Sequence, residues 1–338
     1  MEKDISNDLK ISVKRFEEVF SFTDMYITAD NLSESYLFYS NNIETVLIPK
    51  DVKQIFDLFI KKVMDTCKKF LNRDDHLVVF KGRYFRCCVM KTIKGVVIAV
   101  RQMPKDSIDL YTLGLGKIVA NELTHSRLNN GGLIIICGSP GNGKTTTSSA
   151  TITKRLEKFG GMCITIEDPP EFPLDGKHGV GTCIQTQVKD EGFASSIKMS
   201  MRSYPTGQNS IMFVGEVRDT QTALEVLKAS IDGRLVITTL HSESVVSAIQ
   251  RIASLASKEL GDQAFDMMAT SFRIAIHQKL RRTALNLKMD VECLVDSTPC
   301  VNIIKNQKFT NLKNEVEKQE RAWANSLRVN YHNQKDDI

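Results

Sequence analysis

The sequence predicts an α/β protein whose larger part is built on a mainly parallel sheet and is preceded by a smaller α+β unit. Two observations carry this. Apolar runs at Leu133–Cys137, Cys163–Ile166, Ile211–Val214 and Leu235–Leu240 alternate with helical stretches, the pattern of strands buried on both faces. Before residue 102, one long amphipathic helix is followed instead by three closely spaced strand candidates. A length of 338 residues allows two or three domains and a sizeable core, with 42% hydrophobic and 25% charged residues as in ordinary globular chains.

Leu9, Val13, Phe16 and Phe20 stand at helical spacing, and Asp24–Thr28 and Ser35–Ser40 then read as strands. The spacing predicts a helix from about Asp51 to Leu71, with Val52, Ile55, Phe56, Phe59, Ile60, Val63, Met64 and Cys67 as one apolar stripe destined for a core. Strands follow at Leu77–Phe80, Arg83–Met90 and Gly95–Arg101, which closes a first domain at residues 1–102. Pro104, Gly114 and Gly116 mark residues 103–118 as a linker, with the parallel-sheet domain at 119–308. Beyond about Asn302 the apolar content thins, so residues 309–338 read as a polar, partly helical tail.

The first ten residues alternate charges without an apolar signal region, and no run nears the roughly 18 apolar residues of a membrane span. A cytoplasmic protein is expected. Eight cysteines without a CxxC spacing read as reduced core thiols. The net charge of +5 permits contact with nucleic acid or acidic lipid but does not require it.

The chemistry concentrates after Leu133–Cys137. Gly138, Ser139, Pro140, Gly141, Asn142, Gly143, Lys144 and Thr145 fit GxxxxGK[ST], and Thr146 continues into a helical stretch to Lys158. Glycines let backbone N–H groups surround an anion, the helix N-terminus adds its positive end, Lys144 reaches the outer phosphates and Thr145 holds Mg2+. Such a loop cradles a nucleoside triphosphate. Carboxylates are then needed near the outer phosphate. Glu167 and Asp168 end the second apolar run and Glu216 the third, so in a parallel sheet they converge on the loop. Acidic residues after strands also serve as helix caps, the plainer reading of each. Gly215 before Glu216 suggests close backbone approach. His241 ends the fourth run and suits a phosphate or carboxylate sensor, with an exposed strand-end histidine as the alternative.

Read together, GSPGNGKTT, TIEDPPEF, FVGEVRD and TTLHSESVVSAIQRI resemble the Walker A, Asp box, Walker B and His box of the secretion ATPases, the superfamily of type IV pilus, type II and type IV secretion motors. FTDMYIT resembles the start of that family's PAS-like N-terminal domain and VRQMPKDSIDLYTLGLG its interdomain linker. IHQKL (276–280) and LVDSTPCVNIIKNQKF resemble its helical C-terminal segment. The resemblance implies a RecA-like P-loop ATPase domain and a homo-hexamer that binds ATP and Mg2+. It further implies work at an inner-membrane platform protein, which would place the chain at the inner face of the inner membrane. It implies Glu216 as catalytic base, Glu167 assisting Mg2+ or water, and Thr145, Glu167 and Glu216 around the metal. His241 becomes phosphate-responsive, and Arg86, Arg101, Arg202 and Arg218 become phosphate-directed cations. Lys198 and Thr206 stand where the family usually has Arg and Asp, and CVNII replaces an AIRNLI-like stretch. The short layout resembles PilT-like retraction motors or DotB- and TraJ-like ATPases more than assembly ATPases. Retraction, secretion or conjugation, and a RecA-like nucleic-acid motor remain the first three readings, with a non-enzymatic ATP-gated assembly scaffold as a fourth. The third lacks an interleaved basic and aromatic strip.

Overall fold

The structure is a computed structural model that describes residues 18, 20–39, 46–48, 50–69, 75–104, 108–188, 191–282 and 287–333. Most of the helix expected over residues 9–20 lies outside them. The chain forms two compact units, one of residues 1–106 with 171–173 and one of residues 107–170 with 174–338.

The first unit contains β1 (Asp24–Thr28), β2 (Tyr36–Phe38), β3 (Val46–Leu47), α1 (Lys53–Lys69), β4 (Asp75–Phe80), β5 (Arg83–Thr92) and β6 (Gly95–Gln102). Its strands form one antiparallel sheet in the order β3-β2-β1-β6-β5-β4. The stripe on α1 is core, as its spacing predicts: Ile55, Phe56, Phe59, Ile60, Val63 and Cys67 are buried with Phe20, Phe22 and Phe85. Closely packed rings dominate that core, with centroids 4.7 Å apart for the stacked pair Phe20 and Phe56 and 4.6 Å for the tilted pair Phe59 and Phe85.

The second unit runs α2 (Lys117–Leu123), β7 (Gly132–Cys137), α3 (Lys144–Phe159), β8 (Gly161–Glu167), β9 (Gly176–His178), β10 (Gly181–Gln187), α4 (Gly192–Met201) and β11 (Ser210–Val214). It continues with α5 (Thr220–Ile231), β12 (Leu235–Leu240), α6 (Val245–Leu260), α7 (Gln263–Ser271), β13 (Phe272–Arg282), β14 (Leu287–Val295), α8 (Thr298–Lys305) and α9 (Leu312–Asn333). The sheet order is β14-β13-β7-β12-β11-β8-β10-β9. The six inner strands are parallel, and β14 and β9 run antiparallel at the two edges.

Every residue of β7, β11 and β12 is buried, because helices cover both faces. Leu133, Ile135, Met212 and Val214 pack on one side with Val226, Leu227, Ile249, Ile252 and Met268 from α5, α6 and α7. Residues of opposite parity, Ile134, Ile136 and Ile237, are as deeply buried on the face that α3 crosses. Side chains cap the helices: Asp219 accepts from Thr222 N at 2.8 Å before α5, and Ser244 Oγ accepts from Ser247 N at 3.1 Å before α6.

Three expectations need correction. The segment 276–280 is not helical; it lies in β13, paired with β14, and only Thr298–Lys305 of the expected C-terminal helical segment is α-helix. Period-two burial marks its later half, where Ile276 and Gln278 are buried and His277 and Lys279 are not, while before it Ile274 and Ala275 are buried on opposite faces of an inner strand. Most of the linker span belongs to the second unit, with Lys117 already in α2 and Leu110 and Leu115 buried. The tail is more than a polar extension. Phe309, Leu312 and Val316 join the core of the second unit. Farther along α9, the Gln319 carboxamide bonds Val295 twice, accepting from its N–H and donating to its carbonyl, both at 2.9 Å. It thereby takes the place of a further strand at the end of β14.

Candidate functional site

Six residues separate β7 from α3, and glycine geometry shapes them. Gly138, Gly141 and Gly143 have φ of +146°, +76° and +78°, conformations that residues with a Cβ rarely adopt. A Cβ on Gly138 would be driven into the carbonyl oxygen of Gln278, whereas Gly141 faces open space. The first main-chain bond of the helix closes only at Thr147 N to Gly143 O, 3.0 Å. Among the described residues the amides of Gly141, Gly143, Thr145 and Thr146 have no protein acceptor. Unpaired donors at a helix N-terminus are the chemistry of a phosphate site, so this donor set fits a nucleotide's phosphates.

Lys144 is only 8% exposed. Its ammonium donates to Gly138 O at 3.0 Å and Ser139 O at 3.1 Å, and lies 3.3 Å from His241 Nδ1. The cation is therefore held within the loop. Thr145 and Thr146 are half-buried, and Ser139 and Pro140 are exposed at its rim.

Three neighbouring strands deliver the other groups at the same edge. Glu167 is the last residue of β8, 3% exposed, and its Oε1 accepts from Gln185 Nε2 at 2.9 Å. Glu216 lies two residues past β11, where Oε2 meets Arg218 at 2.7 Å and Oε1 lies 3.6 Å from His241 Nε2. His241 directly follows β12, so its ring bridges Glu216 and Lys144 through its two nitrogens. Side-chain hydroxyls lock this arrangement: Thr238 donates to Val214 O at 2.9 Å and Thr239 to Gly215 O at 2.6 Å. Gly215 N donates to Ile166 O at 2.9 Å, which joins the Glu216 turn to β8. The pairing with Glu216 raises the Arg218 pKa further above its ordinary value.

The structure thus brings Lys144, Glu216 and His241 into one chain of contacts and sets Glu167 at the adjoining strand end. Asp168 is exposed beside them, within electrostatic reach of Arg218. Other residues singled out in the sequence make contacts of their own. Arg202 is exposed at the C-cap of α4. Lys198 lies 3.7 Å from Glu225, which also holds Lys228 at 2.9 Å. Arg86 and Arg101 belong to the first unit, directly opposite each other on β5 and β6. Arg86 forms a two-pronged pair with Asp75, 3.1 Å on each prong, and Arg101 meets Asp24 at 2.8 Å. The Asp75 hydrogen bonds raise the Arg86 pKa above its ordinary value. Sequence reasoning missed Gln185 and Gln278, polar residues facing the site from strands it did not anticipate. The alternation of β13 was the available signal for the second.

Among the described residues no three His, Cys, Asp or Glu side chains cluster to hold a metal, and no helix is long and apolar enough to cross a membrane. Comparison with known proteins now has a geometry to meet. The family described as "Type II/IV secretion system protein" matches residues 60–324. The chain is 30% identical over 251 residues to the "Putative type II secretion system protein E" of Escherichia coli (strain K12), covering 71% of this chain and 48% of that protein. It spans about half the length of the curated relatives it matches most strongly. Among solved structures it is similar to the "Pilus Retraction Motor PilT and Bound ADP" (TM-score 0.73, 25% identity, 90% of this chain and 89% of that one). The Legionella pneumophila ATPase DotB shares the fold at TM-score 0.72 and 20% identity, over 90% and 86% of the chains. With a family match across most of its length, a parallel sheet of that fold and the motifs at its carboxyl edge, the chain belongs to the type II/IV secretion system protein family, in the PilT-type secretion ATPase superfamily.

Proposed function

We propose that the chain is an ATP-hydrolysing motor, that it works as a homo-hexamer at an inner-membrane platform protein, and that its task is type IV pilus retraction. The observation that carries the ATPase reading is the continuous contact from Lys144 through His241 to Glu216 beside four unpaired loop amides. The amides of Gly141, Gly143, Thr145 and Thr146 bind the phosphates, and Lys144 exchanges its loop carbonyls for phosphate oxygens. Thr145 would hold Mg2+, with Glu167 and Glu216 as the carboxylates beside it. When bound, that ion neutralises charge on the outer phosphates. Glu216 orients the attacking water and takes its proton. His241 touches both Glu216 and Lys144, so displacement of the ammonium by phosphate is felt at the carboxylate. Movement of the first unit about residues 103–118 then passes each chemical step to the membrane partner.

Likeness to the PilT structure over 89% of that chain supports retraction. A nearly equal likeness to DotB supports a second reading, an ATPase of a type IV secretion or conjugation system. Purified protein should hydrolyse ATP, and Lys144→Ala should remove both nucleotide binding and turnover. Indifference of turnover to added single-stranded DNA is expected, and strong, salt-sensitive stimulation would instead support a nucleic-acid motor. Deletion in the source cell, followed by counts of surface fibres, separates the first two readings. Excess fibres support retraction; unchanged fibres with a lost secretion phenotype support the second.

A further inference from the structure

Strand β13 stands behind the phosphate loop and grips one of its residues twice. Gln278 Nε2 donates to Asn142 O at 2.6 Å, and Leu280 N donates to Asn142 Oδ1 at 3.0 Å. Gln278 is 0% exposed. Its nitrogen must face the loop, because the Asn142 carbonyl can only accept. Among the described residues its Oε1 has no hydrogen-bond partner. A buried carboxamide oxygen left unpaired costs about 1–3 kcal/mol, so an apolar side chain of similar size would make the better core residue. The use of this side chain lies in its nitrogen.

Peptide geometry says what that use is. The Asn142 carbonyl and the Gly143 N–H belong to one planar trans peptide and point in opposite directions. Drawing the carbonyl toward β13 turns the Gly143 amide away from it, and that amide has no acceptor among the described residues. The approach is close: a Cβ on Gly143 would lie 3.3 Å from Gln278 Nε2.

We infer that Gln278 is a positioning residue for nucleotide binding: by holding the Asn142 carbonyl, its buried carboxamide presents the Gly143 amide to the phosphates of a nucleoside di- or triphosphate. This rests on the ATP reading of the loop. Gln278 touches no substrate; it acts through the peptide in front of it.

The test uses the full chain with Gln278→Leu and Gln278→Glu. ATP and ADP affinities are measured by calorimetric titration, inorganic pyrophosphate serves as a competitor, and thermal stability is measured without nucleotide. For Gln278→Leu, affinity for ATP, ADP and pyrophosphate falls about tenfold while the nucleotide-free protein melts no lower than wild type. A merely structural role would reverse this, lowering the melting temperature and sparing affinity. For Gln278→Glu, an ionised carboxylate cannot donate to Asn142, whereas a protonated one can. Its ADP affinity relative to wild type at the same pH therefore recovers as the pH is lowered. Lys144 and His241 beside the loop, and His277, Lys279 and Glu292 on the hairpin, are common to both proteins and cancel in that ratio. Equal affinities for wild type and Gln278→Leu overturn the inference and leave the ATP reading intact. Should Gln278→Leu fail to fold, a pH-independent affinity ratio for Gln278→Glu overturns it as well. Failure of the wild type to bind ATP or ADP overturns both.

Discussion

Helix α3 carries a buried cation at each end, and the two ends of the sheet treat them differently. At the carboxyl edge, Lys144 donates to carbonyls of its own loop and touches His241, contacts that a bound phosphate can exchange. At the amino edge, Arg155 is 2% exposed and donates to Leu123 O at 3.0 Å, His125 O at 3.1 Å and Asn129 Oδ1 at 2.5 Å. Burial lowers the Arg155 pKa to about 10. The cavity beside it measures only about 10 Å³, room for roughly one water. One cation is placed to change partners and the other is consumed in tying the turns before β7 to the helix. A buried charge near a sheet end is therefore not in itself a functional signal. What distinguishes Lys144 is the company of unpaired donors.

Substitutions sharpen this contrast, and the largest effect should fall at Glu216. Glu216→Gln should reduce turnover by about a thousandfold while ATP binding and melting temperature stay near wild type, as expected for loss of a general base. Turnover within a few-fold of wild type would remove Glu216 from the chemistry. At the opposite end, Arg155→Leu should destabilise by about 3 kcal/mol, roughly 6–12 °C in a unit of this size. It should leave kcat/KM per folded molecule unchanged. A specific fall in kcat would break the comparison by giving the amino edge a catalytic part. His241→Ala should lie between, lowering kcat by about tenfold with little change in melting temperature. A fall confined to ATP affinity would make His241 a binding group only.

The smallest effect concerns neither end. Burial and the nearby Glu292 and Glu317 raise the Glu320 pKa on α9. A carboxyl whose folded pKa exceeds its unfolded value favours the folded state under acid conditions, and that contribution is lost as the pH rises through the folded value. Glu320→Gln should flatten a slight decline in stability just above the usual carboxylate range, seen in denaturant titrations at stepped pH. Because Glu320 is exposed, solvent screens the effect.

Much of the second unit was legible because β7, β8, β11 and β12 are short apolar runs, and the residues that matter follow them in sequence. Burial on both faces leaves little ambiguity about such strands. β10 was not legible: GTCIQTQ is half polar, since its outer position leaves alternate residues exposed. β13 was obscured by the segment's resemblance to a helical region, although the buried Ile276 and Gln278 alternate with the less buried His277 and Lys279. The stripe Leu312, Val316, Gln319 and Trp323 likewise has helical spacing that a count of charged residues hides. The site was legible as a set of motifs, whereas the bonds that Gln185 and Gln278 make to Glu167 and Asn142 were not, because local spacing can show a strand but not which other element its side chains support. The arginines add a further point. Motif position could not reveal that Arg86 and Arg101 already answer Asp75 and Asp24.

The double bond from Gln319 to Val295 has a practical bearing on how the protein can be shortened. An edge strand with open amides invites pairing with another chain, and here a single carboxamide occupies the last of those positions. Trimming the polypeptide before residue 319 would uncover that position, and a cut before Phe309 would also strip apolar surface from the core. Such truncations should yield precipitate rather than a minimal enzyme, and a purification handle belongs beyond the helix that carries this glutamine.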